Sequence, residues 1–556
     1  MKLLTFFFVI FSVIINLNAD GVQPIGSGLY TDPYQVDVLD NLLWISTNDT
    51  SWDAHFIQIS DIDASETVNW NNGEGFSPIG SEDSLSVPFT GNYNGQTYSI
   101  SNLFIDRLNN HTGLFGYVYD GTIRNIDIQN ANITGFLYVG ILAGKIQDSD
   151  LSNINISGIV DGSYTVGSLA GVSVSCEIDD CSCSVTVFGG SYTGGLIGRN
   201  SYSELYNSFF IGNVTGIVST GGFIGENSYS DIDYCYCVGN VEGASPVGGF
   251  IADNFQGDIS KSYSIGNVDG FNLTGGFIGV NQGESILQQC CSAGDVTGQG
   301  GVGGFIGNST GSSSYDHTIE NCYSIGNVEG DHFVGGFVGS THFSNIYNCF
   351  SNCFVNDANY LGGFAAFSTY AIIENSFWDI ETSGQTISDG GTGKTTAEMQ
   401  DVATYTLLST IGLDDPWDFV GNPFNDTGYE DYWDINPEIN DGYPFLTALQ
   451  LVGIQEEEIP HISPMNYNLS NYPNPFNPST TIEFSIQNDS SIELSFFNIK
   501  GQKIKTLTKN DFTKGQHLIP WKGVDDFNKS VSSGIYYYKL KVNDKTEVVK
   551  KCLLLK

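Results

Sequence analysis

The sequence predicts an all-β protein: a parallel β-helix (β-solenoid) winding about 27 residues into each coil, followed by a small immunoglobulin-like β-sandwich. Three observations carry this. A glycine-flanked apolar pair, as in "STGGFIG" at 219–225, recurs with its first glycine at Gly140, Gly167, Gly194, Gly221, Gly248, Gly275, Gly303, Gly335 and Gly362. The steps are 27 residues apart from one of 28 and one of 32, and self-similarity at a fixed period of this length marks a solenoid. The composition, 67 glycines and 36 phenylalanines against three methionines, with only 15% charged residues, is that of short strands between turns. After residue 450 the repeat stops and the balance of charge reverses.

The elements follow in chain order. Residues 1–19 have one lysine, an apolar run and a small-residue end, the layout of a secretory signal peptide cleaved between Ala19 and Asp20. The run is short for a membrane span, and no later segment is long and apolar enough to make one, so the mature chain is expected to be exported and soluble. Residues 20–110 read as an N-terminal cap with the first coils, 111–385 as the repeat β-helix, 386–450 as a closing segment and 451–465 as a linker. Residues 466–556 form a separate C-terminal domain.

Within one repeat, residues 216–243 show three strand-like runs, "GGFIG", "DIDYCYC" and "GNVEG", which predict a triangular coil. Coils stacked at the interstrand spacing of about 4.8 Å turn repeat positions into columns. Phe223, Phe250, Phe277, Phe305, Phe337 and Phe364 continue a column begun by Leu142, Leu169 and Leu196; Val187, Val214, Val241, Val268, Val296 and Val328 form a second. A regular apolar column in a dry solenoid belongs inside, although strand alternation leaves open whether Phe or the adjoining Ile points inward. Asn213, Asn240, Asn267, Asp295 and Asn327 form a third column, expected to bond side-chain amides from coil to coil. The glycines are expected at corners, either at positive φ or where one coil closely approaches the next.

Eleven cysteines in an exported chain invite a disulfide framework, but Cys181, Cys235, Cys290, Cys322 and Cys349 share a column with Ser208, Ser262 and Ser376. Interchange of Cys with Ser predicts small packed side chains and mostly free thiols, with local pairing of Cys235 and Cys237 or of Cys349 and Cys353 left open.

Charge excludes further classes. Residues 465–556 hold thirteen lysines against eight acids, a surplus of five; the remainder holds seven basic residues against fifty-four acids, a deficit of forty-seven, which returns the net charge of −42. Such a body does not hold nucleic acid by its phosphates. A polyuronate lyase must neutralise carboxylates, and beyond Lys2 the body offers only Arg107, Arg124, Lys145, Arg199, Lys261 and Lys394.

The repeats "YTGGLIGRN", "STGGFIGEN" and "LTGGFIGVN", with "NCYSIGNVEG" between them, resemble GLUG repeats, found in large bacterial surface proteins and beside the catalytic region of immunoglobulin-A metallopeptidases. Outlying segments such as "FTGNYNGQTYSISNLFIDR" and "DINPEINDGYPFL" extend the resemblance over about 21–446. The last ninety residues, with "NYPNPFNP" (Asn471, Tyr472, Pro473, Asn474, Pro475, Phe476, Asn477 and Pro478), Gly501 in "NIKGQKIKTL", Trp521, and Gly534 and Tyr536 in "SSGIYYYKL", resemble the type A C-terminal sorting domain of the type IX secretion system. That resemblance implies export across an outer membrane by the type IX machinery. It also implies that the body is then attached to the extracellular face or released.

No catalytic residue emerges. None of the seven histidines begins H-E-x-x-H. "GNSTG" at 307–311 sits in a repeat insertion without the helix a nucleophile elbow requires, and "GGTGKTT" at 390–396 lacks phosphate-loop spacing. The densest carboxylate clusters, "SDIDAS" at 60–65 and "YEDYWDIN" at 429–436, read as turns of the cap segments. No cofactor or metal is expected; acids near glycine turns leave weak calcium binding open. The resulting expectation is a secreted, surface-attached solenoid with an adhesive or structural role, with a surface glycan or another cell-surface ligand as partner. A β-helix hydrolase using a carboxylate pair stands as the alternative.

Overall fold

The computed structural model describes residues 21–80, 87–312, 317–356, 359–421 and 431–450, and, from 470 to 554, all but 473–475, 477, 487–489, 499–502, 514, 527–528, 533 and 543–545. Ala19 and Asp20 lie outside the described residues, as do Pro473, Asn474, Pro475, Asn477 and Gly501. The chain divides into two compact units, Met1–Ile459 and Pro460–Lys556.

The first unit is a parallel β-solenoid with three faces: a ten-stranded sheet, a nine-stranded sheet and a 28-stranded sheet into which each coil places up to three short strands. In the coil of 216–243, Val218–Gly221 lies on the nine-stranded face and Ile224–Ser228 on the ten-stranded face. Asp231–Asp233, Tyr236–Val238 and Val241–Glu242 follow on the third. Register advances by one repeat per coil, as in Val214↔Val241 and Val241↔Val268.

This corrects the reading of "GGFIG" as one strand. Gly221 ends one strand and Ile224 begins the next, so Gly222 and Phe223 turn a corner. "DIDYCYC" and "GNVEG" share a face instead of taking one each. The corner explains the glycines. A Cβ on Gly221 would collide with the carbonyl oxygen of Ile224, and the other eight repeat glycines meet the carbonyl three residues on in the same way. A Cβ on Gly222 would collide with the carbonyl of Gly249 in the next coil. Close approach, not left-handed backbone, fixes these positions; positive φ belongs instead to another corner, at Gly212, Gly239, Gly266, Gly294 and Gly326.

Because Phe223 sits in the corner, it escapes strand alternation, and both it and Ile224 are fully buried. The rings from Phe223 to Phe364 stack with centroids 4.7–4.9 Å apart. All six valines of the second column are buried.

The polar columns divide. Asn213, Asn240, Asn267, Asp295 and Asn327 do bond from coil to coil, but chiefly from backbone N–H to side-chain oxygen; the expected side-chain amide bond appears at one link, Asn327 Nδ2 to Asp295 Oδ1 at 2.7 Å. The backbone N–H of Asn240 donates to Asn213 Oδ1 at 3.1 Å and that of Asn267 to Asn240 Oδ1 at 3.0 Å, because the column lies on an exposed turn whose amides need acceptors. The amide ladder lies elsewhere, inside: Asn200 Nδ2 donates to Asn227 Oδ1 at 2.9 Å, Asn227 to Asn254 at 2.9 Å and Asn254 to Asn281 at 2.8 Å. Its end is closed by buried His317, whose Nε2 lies 2.8 Å from Ser309 Oγ and whose Nδ1 lies 2.7 Å from Gly283 O.

Among the described side chains, ten cysteines are free and buried, including both pairs left open above. The Cys–Ser column is one of hydrogen bonds as well as volume. Ser208 Oγ accepts from Cys181 N at 3.1 Å, and Ser262 Oγ from Cys235 N at 3.1 Å.

Two features depart from strand-and-turn chemistry. Leu39–Thr47 forms a helix beside the first coil, burying Leu42 and Ile45. The closing segment does more than follow the last coil. It returns along the outside, where Tyr323, Phe350 and Phe377 face outward and are covered by Tyr405, Trp417, Trp433 and Tyr443. Trp433 Nε1 donates to Asn321 Oδ1 at 3.0 Å, and Tyr443 Oη to Asp379 Oδ2 at 2.6 Å.

The second unit is antiparallel. A three-stranded sheet (470–472, 480–486, 515–521) and a four-stranded sheet (490–498, 503–512, 534–542, 546–554) enclose one core, the sandwich expected.

Candidate functional site

In the body, the polar groups most suggestive of chemistry lie on the ten-stranded face. Arg199, Glu226 and Asp253 occupy one register position in three successive strands. Arg199 Nη2 donates to Glu226 Oε1 at 2.7 Å and its Nε to the same oxygen at 3.2 Å, while its guanidinium lies 4.8 Å from the Tyr192 ring centre. Burial, and after it the charge of Glu226, pushes the Asp253 carboxyl up to about 6. A raised acid beside a second carboxylate is the raw material of glycoside hydrolysis, which needs the two groups to flank a bond. Here both project side by side from neighbouring strands, Glu226 is held by Arg199, and Val172 and Val280 occupy the next register positions. The arrangement is one ion pair, Arg199 with Glu226, on a sheet surface, with Asp253 beside it.

The other candidates resolve into structure. Asp61 Oδ1 accepts from Ser99 N at 2.8 Å, and Asp63 Oδ1 from Asn102 Nδ2 at 2.9 Å and Ser65 N at 3.0 Å, bonds that hold the Asp63 carboxyl below the usual range. In the second cluster, residues 429 and 430 lie outside the described residues, and Asp434 accepts from Ile435 N at 2.8 Å. Ser309 of "GNSTG" lies in a regular strand, Ile306–Thr310, and the insertion starts only after it; its hydroxyl serves the buried ladder. Lys394 of "GGTGKTT" is buried and donates to Ile411 O at 2.9 Å. Among the described residues, no group of three or more His, Cys, Asp or Glu is placed to hold a metal ion, and no helix is long and apolar enough to cross a membrane.

The C-terminal unit gathers its predicted residues differently. Phe476, Trp521 and Tyr536 are buried together: the Phe476 and Trp521 ring centroids are 5.5 Å apart, and those of Trp521 and Tyr536 are 5.4 Å apart. Phe496, which sequence reading did not single out, stacks on Trp521 at 3.8 Å. Trp521 Nε1 donates to Val524 O at 3.0 Å and Tyr536 Oη to Ser532 O at 2.7 Å, so both polar tips are satisfied at the edge of the core. Asn471 and Tyr472 lie in the first strand, Pro478 precedes the second, and Gly534 opens the strand Gly534–Val542. The motif residues thus build the fold of the domain. The buried Asn ladder of the body was also missed, though its signal stood in the residue two after each "IG" or "IA".

Comparison with known proteins falls on both units. Residues 470–554 match the secretion system C-terminal sorting domain, and residues 189–215 match the GLUG motif. A stretch of 116 residues, 20% of the chain, is 38% identical to halomucin of Haloquadratum walsbyi and spans 1% of that protein's length. The chain carries a type IX sorting domain behind a GLUG-bearing β-solenoid, and is a secreted protein of the cell surface.

Proposed function

We propose that the solenoid is a non-catalytic surface rod with an adhesive or structural role, delivered as cargo by the C-terminal sandwich. The observation that supports this most is where the repeat spends its residues. Glycine corners, Phe and Val columns, Cys–Ser column and Asn ladder all serve coil-to-coil contact, leaving the repeat itself no element for chemistry. The type IX machinery is the partner of the tail, and a surface ligand that of the body. In-frame removal of residues 192–272, three whole coils, should shorten the rod while leaving secretion intact, since a solenoid is nearly a sum of repeat and neighbour terms. Cells carrying the shortened chain should attach less to surfaces or to one another. Release of reducing sugar from any polysaccharide by the purified wild-type chain, lost in Asp253→Asn, would overturn the reading in favour of hydrolysis.

A further inference from the structure

The interior Phe column has a counterpart outside. At the corner between the ten-stranded and 28-stranded faces, two successive coils present Tyr202 and Tyr229, and Phe255 ends the ten-stranded-face strand of the next coil just before that corner, with 62%, 44% and 38% of their surface exposed. Tyr202 and Tyr229 are stacked at 5.0 Å with planes 1° apart, and Phe255 meets Tyr229 edge-on at 5.3 Å. Both tyrosines hold positive φ, +54° and +52°. Asp120 and Asp148 in earlier coils, Gln256 and Gly283 in the next two and the rings Phe343 and Tyr370 near the end of the solenoid hold the same corner at positive φ. A bulky ring there opposes backbone preference, so the ring itself is what the position supplies. The coil before Tyr202 places Ser175 at this corner, and the small side chain leaves the outer face of the Tyr202 ring open.

Beside the rings stand the hydroxyls of Ser201 and Ser228 on one side and the exposed carboxylates of Glu204 and Asp231 on the other. Open ring face, hydroxyls and acceptors are the groups that meet the apolar face and hydroxyl rim of a sugar. The cations argue which sugar. Arg199, on the strand that leads to Tyr202, is committed to Glu226; Lys145 and Lys261 lie over Tyr117 and Tyr234, Lys394 is buried, and Arg107 is paired with Glu74. Only Arg124 is left exposed among these, far along the chain in an earlier coil. A uronate or sulfate would meet carboxylates without compensation.

We infer that the Tyr202–Tyr229–Phe255 edge is a docking site for a neutral glycan, with Tyr202 as the stacking platform. This rests on the adhesive reading above and narrows its ligand to one chemistry.

The test is affinity electrophoresis of the full secreted chain through gels carrying a neutral β-glucan, a mannan or a xylan, with alginate as the anionic counterpart. At least one neutral gel should retard the wild type, alginate should not, and retardation should survive about 1 M salt, where the Debye length is about 3 Å. Tyr202→Ala with Tyr229→Ala should weaken it about tenfold, the loss of about 1.4 kcal/mol of binding, with an unchanged melting temperature. Tyr202→Trp, which keeps a platform, should retain it. Absence of retardation by all three neutral glycans overturns the inference, as does wild-type retardation of the double alanine variant. Loss of retardation in salt would mark an electrostatic contact in place of stacking, and concentration-dependent dimers abolished by the double variant would mark a second copy as the occupant; either also overturns it. Surface attachment by cells carrying the double variant separates the two levels: attachment retained removes this edge but leaves the adhesive role standing.

Discussion

The two units bury aromatic residues by opposite routes. In the body, Phe250 meets Phe223 and Phe277, its own repeat equivalents 27 residues away, and the contact is copied from coil to coil. In the sandwich, Trp521 gathers Phe496 and Tyr536 from two other strands and Phe476 from the segment between the first two into one core that cannot be subdivided. The body can therefore lengthen without new chemistry, and it tolerates fifty-four acids because its stability is not drawn from surface charge. The sandwich, with a surplus of five positive charges, is a fixed object of fixed size, suited to being read by a receptor. Cargo is extensible and address is not.

The difference breaks most visibly at a single core residue. Trp521→Ala should cost about 3–5 kcal/mol and abolish the cooperative transition of the sandwich, while the melting of the body stays where it is. Two transitions in calorimetry, of which only one responds, is the expected result. Val268→Asp places a charge in the fully packed valine column and should cost several kcal/mol, on the order of 3, in the body alone. Its exposed neighbour in Asp269→Asn should melt like wild type.

A smaller effect is expected from the buried ladder. Asn254→Ala leaves Asn227 without the acceptor and Asn281 without the donor that Asn254 supplied, a loss of about 1–3 kcal/mol. Asn240→Ala, on the exposed turn, should cost less than half of that, because water replaces the lost acceptor. Chemical denaturation of the two variants side by side reads the contrast.

How much of this was legible follows from repetition. The period exposed the Phe, Val and Cys–Ser columns because each residue type recurs beside its own copies, and Ser208 and Ser262 showed that the cysteines are not obligate pairs. The corner was hidden because "GGFIG" reads as a strand unless the carbonyl facing Gly221 is known. The amide ladder was assigned to the wrong Asn column, since turn and core asparagines recur with the same period. The outward row Tyr323, Phe350 and Phe377 gave no sign of its cover, because Trp417 and Trp433 come from a non-repeating segment with no period to align. The helix Leu39–Thr47 is short, and its Leu42 and Ile45, three apart, were outweighed by the surrounding glycine-rich composition.

The smallest effects concern titration and thiols. Asp253 has its pKa raised to about 6 from 3.8, so the folded state holds its proton more tightly than the unfolded chain. That contribution is complete below about pH 4 and is lost as pH rises through about 6, an effect on the order of 1 kcal/mol after solvent screening. Asp253→Asn should flatten this slope in melts between those pH values. Cys181→Ser should shift stability by less than about 1 kcal/mol, and thiol titration after unfolding should count most of the eleven cysteines as free.

The separation of cargo from address is tested most directly by moving the address. Residues 466–556 fused to an unrelated periplasmic reporter, in a host with type IX machinery, should carry that reporter outside the cell, where protease added to intact cells degrades it. The body of residues 1–465 alone should enter the periplasm, fold there and stay protected. A protected fusion, or a truncated body digested at the surface as readily as the full chain, would contradict the account.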